Sequence, residues 1–372
     1  MKLICYKNAL RILMLHVMAL LIITTGCERS KDTSGQYYYT EDDFNSVQKT
    51  DIHVHINGNE QAFIGQALSD NFRVLTINTD CSEFAPFRQQ RTLAASLKKR
   101  YPKSVVFAGT FKVDSYTAQN WENNAMAQID SAIDQGAAAI KIWKNIGMAD
   151  KDKNGKLIMP DDPMFDTIYD HLEEKHIPLF IHVGEPKNCW LPVEQMTVSN
   201  DKIYFKNHPE YYMYLHPDFP DYQKYIDARD NVLNEHRNLQ VIGCHMGSLE
   251  WSVGELAKRL DKYPNFSVDM AARMGQVQFQ CISEREKVRN FFLKYQDRIL
   301  YGTDINTAAD SDPKEVRRNL HEAWIADWKF LCSDETMTSV YVDRPFEGLK
   351  LPKTVLDKIY NLNAARYFSY SK

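Results

Sequence analysis

The stretch TDIHVHING, residues 50–58, has the composition of a short buried strand that carries polar residues toward its end. Side chains two apart in a strand point to the same face, so His53 and His55 are predicted to lie side by side, with Asp51 next in the same row. Imidazole is the commonest protein ligand for metal ions, yet most histidines bind none. Whether this pair is a metal-binding pair therefore depends on the rest of the chain.

Short apolar runs like this one recur along the sequence, and longer segments of helical period separate them. The predicted strands are residues 50–55, 73–78, 104–111, 137–143, 177–183, 239–245, 266–271 and 299–303. Helix candidates include residues 87–101, 121–135, 164–176, 221–236, 251–263 and 284–295. In the segment 251–263 a core-facing stripe with i, i+3, i+4, i+7 spacing is formed by Val253, Leu256, Ala257 and Leu260. Eight strands alternating with helices predict an α/β fold, a single (β/α)8 TIM-like barrel over residues 48–372.

The first 26 residues differ in composition from the remainder. Three basic residues precede an apolar run over residues 12–25, which is too short for a spanning helix of ~20 residues and is the layout of a secretory signal. The end of the run, Thr24-Thr25-Gly26-Cys27, resembles a bacterial lipobox, although Thr24 stands where leucine is usual. We therefore expect a lipoprotein signal peptide (1–26), a lipidated Cys27 and a tether (27–47). A plain signal peptide or an uncleaved anchor is the alternative.

Each of these interpretations places the body of the protein outside the cytoplasm, on the periplasmic or cell-surface side of a bacterial membrane. The net charge of −4 becomes −7 when residues 1–26 are removed, because that segment holds three positive and no negative charges. No basic run is present, which argues against a nucleic-acid partner. A small-molecule substrate and membrane attachment through Cys27 are expected, and the sequence leaves homo-oligomer formation open.

The cysteines give no sign of a disulfide framework. Five remain after Cys27, an odd number without CxxC spacing: Cys81, Cys189, Cys244, Cys281 and Cys332. This pattern predicts mostly buried thiols rather than disulfides or a cysteine zinc site.

Ionisable side chains follow the predicted strands at corresponding ends. They are His53, His55, Lys141, His182, His245 and Asp304. Burial of several such groups without partners costs several kcal/mol in total, and a divalent ion supplies a partner. Imidazoles with a carboxylate suit Zn²⁺, with Mn²⁺, Fe²⁺ or Ni²⁺ as alternatives. We predict one ion rather than two, held by His53, His55 and His182, with Asp304 binding the ion or taking the proton from its water.

Further candidates concern the substrate. His245 would be free to orient or polarise it, and the aromatic-rich loop 184–220 after the fifth strand is predicted to form a pocket wall, because barrel active sites are assembled from such loops. Arg273, Glu185 and Trp190 are candidate substrate-binding residues, although each could equally be an ordinary surface or packing residue.

Several motifs carry a resemblance to a known family. They are DIHVH (51–55), IHVGEP (181–186), GCHMGS (243–248), YPNFSVDMAARM (263–274), YGTD (301–304) and LPKTVLDKIYNLNAARYF (351–368). In this order they resemble the amidohydrolase superfamily, and within it the amidohydrolase-related group (amidohydrolase family 2) that includes aminocarboxymuconate-semialdehyde decarboxylase-like enzymes. The likeness covers residues 48–370. It implies a mono- or binuclear metal site at the mouth of a distorted barrel.

The resemblance also implies residue roles. It assigns His53 and His55 as first-strand ligands, His182 as the fifth-strand ligand and Asp304 as a general acid/base that also contacts the metal. His245 is the sixth-strand histidine of the group. Some relatives bridge two metals with a carbamylated lysine at the position of Lys141, whereas many in the decarboxylase-like branch hold one ion.

Three functions follow from these residues. The first is a hydrolase in which metal-activated water attacks an amide, lactone or other ester, with Asp304 as general acid/base. The alternative is a non-oxidative decarboxylase (carboxy-lyase) on the same site. A non-catalytic binding lipoprotein would be expected to lack a ligand or base, but His53, His55, His182, His245 and Asp304 are all present. Export favours hydrolysis of an external compound over decarboxylation of a cytosolic one.

Overall fold

A computed structural model describes residues 37–81, 83–113 and 120–370. The main sheet has nine parallel strands in the order β8-β7-β6-β5-β4-β3-β2-β1-β9. They are β1 Lys49–Ile56, β2 Phe72–Ile77, β3 Val105–Gly109, β4 Ala139–Ile142, β5 Leu179–Ile181, β6 Val241–Gly243, β7 Phe266–Asp269, β8 Ile299–Leu300 and β9 Ile305–Thr307. All eight predicted strands are confirmed. A small antiparallel pair, β10 Thr336–Met337 with β11 Phe346–Glu347, lies apart from them.

The segment from β8 to β9 closes the sheet into a barrel. β8 pairs with β7, and β9 pairs with β1. Between them the Ile52 N–H donates to Tyr301 O at 3.0 Å, and the Asp304 N–H donates to His53 O at 2.7 Å. A Cβ on Gly302 would lie 3.0 Å from His53 Cβ, so only glycine lets the chain pass this close to β1. Residues 299–307 therefore act as one interrupted eighth strand, which confirms the (β/α)8 barrel.

Helices cover the outside of the sheet. The longer ones are Glu60–Ser69, Phe87–Arg100, Trp121–Asp134, Asp166–Glu174, Ser199–Asn207, Tyr222–Glu235, Val253–Lys262, Met274–Lys294 and Pro313–Cys332. The chain closes with Lys353–Asp357, a π-helical turn Lys358–Leu362 and Asn363–Tyr367. Among the described residues, none of these helices has the length and apolar character required to cross a bilayer.

Apolar side chains form two layers on either side of the sheet. Inside the barrel, a small cluster includes Ile52, Val106, Phe180 and Phe368, in which Phe368 of the closing segment stacks on Phe180 with ring centroids 6.0 Å apart. A much larger cluster lies between the strands and the surrounding helices. The predicted stripe of helix Val253–Lys262 belongs to this outer layer. The strand carboxyl ends are thus left for polar residues.

Residues 37–48, which the sequence assigns mostly to the tether 27–47, lie against the barrel. Tyr39 donates its hydroxyl proton to Asp357 at 2.7 Å, and Phe44 is 2% exposed. Lys49, at the start of β1, donates to the Val47 carbonyl at 2.8 Å and lies over the Phe44 ring. The segment therefore enters β1 from its amino end. The predicted signal peptide, 1–26, and Cys27 lie outside the described residues.

Helix Met274–Lys294 begins ten residues before the predicted start at 284. Glu284 has non-helical angles, φ −132° and ψ 36°, so the predicted helix is the part beyond a kink. The part before the kink buries glutamines: Gln276 donates to Asp201 at 3.0 Å, and Gln280 donates to the Glu250 carbonyl at 2.9 Å. Met274, Val277 and Cys281 of this part also belong to the apolar core, but buried glutamines lie between them. The apolar stripe is therefore short and interrupted, and the sequence pattern missed this part of the helix for that reason.

Candidate metal centre

The two histidines of β1 direct their Nε2 atoms toward the same point. His53 Nδ1 donates to Asp269 Oδ2 at 2.7 Å, and His55 Nδ1 donates to the Ile77 carbonyl at 2.9 Å. Because an acceptor occupies each Nδ1, the neutral rings carry their lone pairs on Nε2. Such bonds fix the tautomer and ring orientation of metal-ligating histidines. The alternation predicted for His53 and His55 is confirmed.

Asp304 brings a carboxylate to the same point. Its Oδ1 lies 3.3 Å from His53 Nε2 and 3.2 Å from His55 Nε2, and its backbone has the strained φ of 67°. Two nitrogen lone pairs and an anionic oxygen this close repel one another unless a cation lies between them. The ligand atoms of these three residues all lie within 4.8 Å of one another. The donor set therefore fits a divalent ion.

His182 and His245 lie beside this group. Their ring centroids are 4.2 Å apart, and the His53 and His245 centroids are 4.9 Å apart. His245 Nδ1 donates to the Ala271 carbonyl at 2.9 Å, so its Nε2 also carries a lone pair. Burial lowers the pKa of both His182 and His245 well below the usual range, which keeps them neutral as metal binding requires. His182 lies near the three converging residues but outside the tightest group.

Asp269, to which the sequence analysis assigned no role, connects these histidines. Besides accepting from His53, it accepts from the backbone N–H of His245 at 2.7 Å and of Ala271 at 3.1 Å. Burial alone would raise the pKa of this fully buried carboxyl, but the neighbouring His53 outweighs it and lowers the pKa to about 2. The sequence signal that could have indicated this role is the position of Asp269 at the carboxyl end of β7, within the motif of residues 263–274.

Asp51 does not extend the histidine row as predicted. The pairing of β1 with β2 shifts register between Asp51 and Val54, and such an irregularity reverses which side chains face inward. The Asp51 carboxylate instead accepts from Trp324 Nε1 at 3.0 Å and from Thr303 Oγ1 at 2.7 Å. It also accepts from the His53 N–H at 3.1 Å. Asp51 thus ties β1 to the segment before Asp304 and to an outer helix.

Lys141 is buried on β4, with 1% of its surface exposed. Its Nζ donates to Cys244 Sγ at 2.8 Å, and burial raises the pKa of that thiol. Carbamylation of Lys141 remains a prediction. The five cysteines among the described residues are free thiols, and four of them are buried, in agreement with the sequence.

A cavity of about 590 Å³ opens above the histidines. Its walls include His182, His245, Asp304 and Arg273, and the loop 184–220 contributes Glu185, Tyr204 and Phe205, as predicted for a pocket wall. Glu185 forms an ion pair with Lys144. Trp190 lies behind this lining: its Nε1 donates to the Pro220 carbonyl at 3.2 Å, and its ring packs on Tyr222 and Tyr225.

A (β/α)8 barrel with imidazoles and a carboxylate converging at the carboxyl ends of its strands defines a metal-dependent barrel enzyme. The chain belongs to the amidohydrolase family, whose family model matches residues 59–369. This membership implies a divalent metal cofactor, in accord with the donor set around Asp304.

Solved structures support the fold. One is an uncharacterised TIM-barrel protein from Bordetella bronchiseptica, 15% identical with a TM-score of 0.51, for which the match covers 86% of this chain and 98% of that chain. Another is 2,6-dihydroxybenzoate decarboxylase from Rhizobium, 14% identical with a TM-score of 0.51 and the same coverage. No curated protein matches the chain significantly.

Proposed function

We propose that this protein is a metal-dependent hydrolase that cleaves an amide, lactone or other ester bond in a small molecule. The observation that carries the proposal is the convergence of His53 Nε2, His55 Nε2 and Asp304 Oδ1 with both Nδ1 atoms already engaged. His53, His55, His182 and Asp304 would hold the ion, and the nitrogen-rich donor set favours Zn²⁺. A bound ion there would supply Lewis acidity, lowering the pKa of water and polarising a carbonyl group.

Asp304 is suited to move the proton. Its side chain is 30% exposed and lines the cavity, while Oδ1 faces the two β1 histidines. A carboxylate in this position can accept a proton from the attacking water and return it to the leaving group, which typically contributes 10²–10⁴-fold to the rate. The strained φ of Asp304 fixes its direction toward the cavity.

His245 is suited to accept rather than donate a hydrogen bond. With Nδ1–H bonded to the Ala271 carbonyl and a pKa lowered by burial, its Nε2 is an acceptor at neutral pH. It would therefore orient the attacking water or a substrate hydroxyl, or contact the ion. Polarising the substrate, the other role that the sequence predicts for His245, would need a hydrogen bond donated by Nε2, and burial disfavours the protonation that this requires.

The test combines metal content with activity on the purified protein. We expect about one equivalent of zinc by elemental analysis, loss of this metal in the His53→Ala/His55→Ala variant, and retention of it in His321→Ala, which changes a histidine with 43% of its side chain exposed. Hydrolysis of an ester, lactone or anilide panel should disappear on chelation and return with Zn²⁺. Two equivalents of metal would support a carbamylated Lys141.

The same purified protein distinguishes decarboxylation, the alternative reaction, from hydrolysis. A non-oxidative decarboxylase would use the same side chains, and the fold is similar to that of 2,6-dihydroxybenzoate decarboxylase. Carbon dioxide release from aromatic carboxylates without hydrolysis of any panel member would replace the hydrolase proposal with this one. A protein that binds no divalent ion after reconstitution would be a binding protein, and both enzyme proposals would be abandoned.

We also infer that the protein is exported and held to a membrane through lipid on Cys27. The basic start, the apolar run and the Gly26-Cys27 junction support this proposal. Metabolic labelling with radioactive palmitate should mark the wild-type chain and not Cys27→Ala, and the variant should leave the membrane fraction. An unlabelled wild-type chain would contradict lipidation.

A further inference from the structure

We propose that Arg273 binds a carboxylate of the substrate within the cavity, beside the metal centre, so that the enzyme acts on small organic acids. This inference rests on the proposed function, because the cavity it concerns is the one shared with His245 and Asp304. It assigns a charge to the substrate, which the metal site alone does not do.

The Arg273 guanidinium is buried, and no residue that the structure describes provides its counter-ion. The residue is 8% exposed. The one hydrogen bond of its guanidinium among the described residues runs from a terminal N–H to the Ala272 carbonyl at 2.9 Å, and its buried Nε has no partner there. Within the described chain, no carboxylate oxygen lies within 4.0 Å of it. The other cation of the cavity wall, Lys144, is already paired with Glu185. A buried cation without a partner is costly, and a ligand anion would remove the cost.

Nearby carboxylates do not replace that anion. Asp201 and Glu250 act on Arg273 only through space, and Asp201 instead accepts from Asn188 at 2.8 Å and Gln276 at 3.0 Å. Burial raises the pKa of both acids, which weakens them as counter-ions. The guanidinium therefore remains available to a molecule in the cavity.

Arg273 is held at a fixed position relative to the metal centre. It follows Ala272, which has a strained φ of 55°, and the Arg273 N–H donates to Met270 O at 3.1 Å. In the same turn, the Ala271 carbonyl accepts a hydrogen bond from His245 Nδ1. The Ala272 N–H donates to Thr303 O, beside Asp304, at 3.1 Å. Strained turns that the surroundings hold in place are typical of ligand-binding positions. A substrate bound to Arg273 would thus be oriented toward Asp304.

The chemistry of the cavity selects a carboxylate. A guanidinium offers a planar pair of donors that matches a carboxylate or a phosphate. The wall also carries the Asp304 carboxylate, whose charge repels the two charges of a phosphate group more strongly than the single charge of a carboxylate group. Ile203, Tyr204 and Phe205 supply apolar surface for the body of the molecule. We therefore assign a small acid with an aliphatic or aromatic body.

The test compares glutarate with butyrate as ligands of the zinc-loaded protein, by isothermal titration calorimetry. Both can place one carboxylate on the metal, but only glutarate has a second one for Arg273. We expect glutarate to bind at least 10-fold more tightly, and Arg273→Gln to remove this preference, since a hydrogen bond to a charged group accounts for roughly that factor. Arg344→Gln, at a side chain that is 61% exposed, is the matched control and should keep it.

Other outcomes are equally informative. A wild-type protein without the preference, or an Arg273→Gln variant that retains it, overturns the proposal. Should Arg273→Gln fold poorly, Arg273→Lys keeps the charge without the paired donors and should show an intermediate preference. Hydrolysis of mono-4-nitrophenyl glutarate against 4-nitrophenyl butyrate is measured separately. A protein that binds glutarate through Arg273 but hydrolyses neither ester nor any other panel member would refute the hydrolase proposal and leave the carboxylate site standing.

Discussion

Replacement of Asp269 by asparagine should weaken metal binding, although its carboxylate bonds Nδ1 of His53 and not the Nε2 that faces Asp304. The carboxylate accepts three hydrogen bonds, from His53 Nδ1 at 2.7 Å and from the backbone N–H groups of His245 and Ala271 at 2.7 and 3.1 Å. Asparagine has one acceptor oxygen and one NH₂ group. If the oxygen serves the two backbone groups, the NH₂ faces His53 Nδ1, which must then accept, and the ring proton moves to Nε2.

This change of tautomer removes the lone pair that His53 offers to the ion. Loss of a carboxylate partner behind a metal-ligating histidine typically lowers metal affinity about 10- to 100-fold, which corresponds to roughly 1.4–2.8 kcal/mol. The opposite orientation of the amide would leave two backbone N–H groups facing an NH₂, at about 1–3 kcal/mol each. Both orientations predict a loss, and the first predicts it mainly in metal binding.

The assay is a competition for zinc between Asp269→Asn and a chromophoric chelator, with imidazole ¹⁵N spectra to report the His53 tautomer. Asp327→Asn is the control, because Asp327 accepts from Tyr301 at 2.7 Å and does not contact the histidines. Zinc affinity equal to that of the wild type, with Nδ1 of His53 still protonated, would refute the role assigned to Asp269.

Three further predictions follow from single side chains. Asp304→Asn should lower kcat for the cleaved ester at least 100-fold with a smaller change in KM, as expected for a proton-transfer group; a change confined to KM would contradict this. Burial raises the pKa of Asp327 to about 7, so the folded protein keeps a proton that the unfolded chain loses near pH 4. Relative to Asp327→Asn, the free energy of unfolding should therefore decline from pH 5 to pH 7, by at most about 1.4 kcal/mol per pH unit; parallel denaturation profiles would refute it. Trp324→Phe removes a donor to the buried Asp51 and should lower stability by about 1–3 kcal/mol while zinc content is kept; thermal unfolding and elemental analysis check both statements, and loss of zinc without a change in Tm would contradict them.

The sequence predicts the barrel because its evidence is local and repeated. Each strand is a short apolar run bounded by helical segments, and the polar residue that follows a run must emerge at the carboxyl edge of a parallel sheet. This reasoning predicts from the sequence alone that His53, His55 and Asp304 lie close together, and the structure shows that these three converge.

Other features depend on contacts distant in sequence. The irregularity between Asp51 and Val54 arises where β1 meets the closing segment, so strict alternation placed Asp51 on the wrong face. The role of Asp269 depends on its distance to His53, 216 residues away in the chain. In the first half of helix Met274–Lys294, buried and hydrogen-bonded glutamines interrupt a short apolar stripe. Patterns within a window of residues cannot show such pairings.

The entry of residues 37–48 into the amino end of β1 has a consequence for how the enzyme meets its substrate. The cavity opens at the carboxyl ends of the strands, so the point of attachment and the point of entry are on opposite ends of the barrel. About ten residues separate Cys27 from Tyr37, and an extended chain of that length reaches at most about 35 Å. A lipid on Cys27 would therefore attach the barrel to the membrane through the end opposite to its mouth, which leaves the mouth free to face the surrounding water. The enzyme would then collect dissolved acids that diffuse past the membrane, and lipids of the bilayer beneath it would not reach the catalytic end.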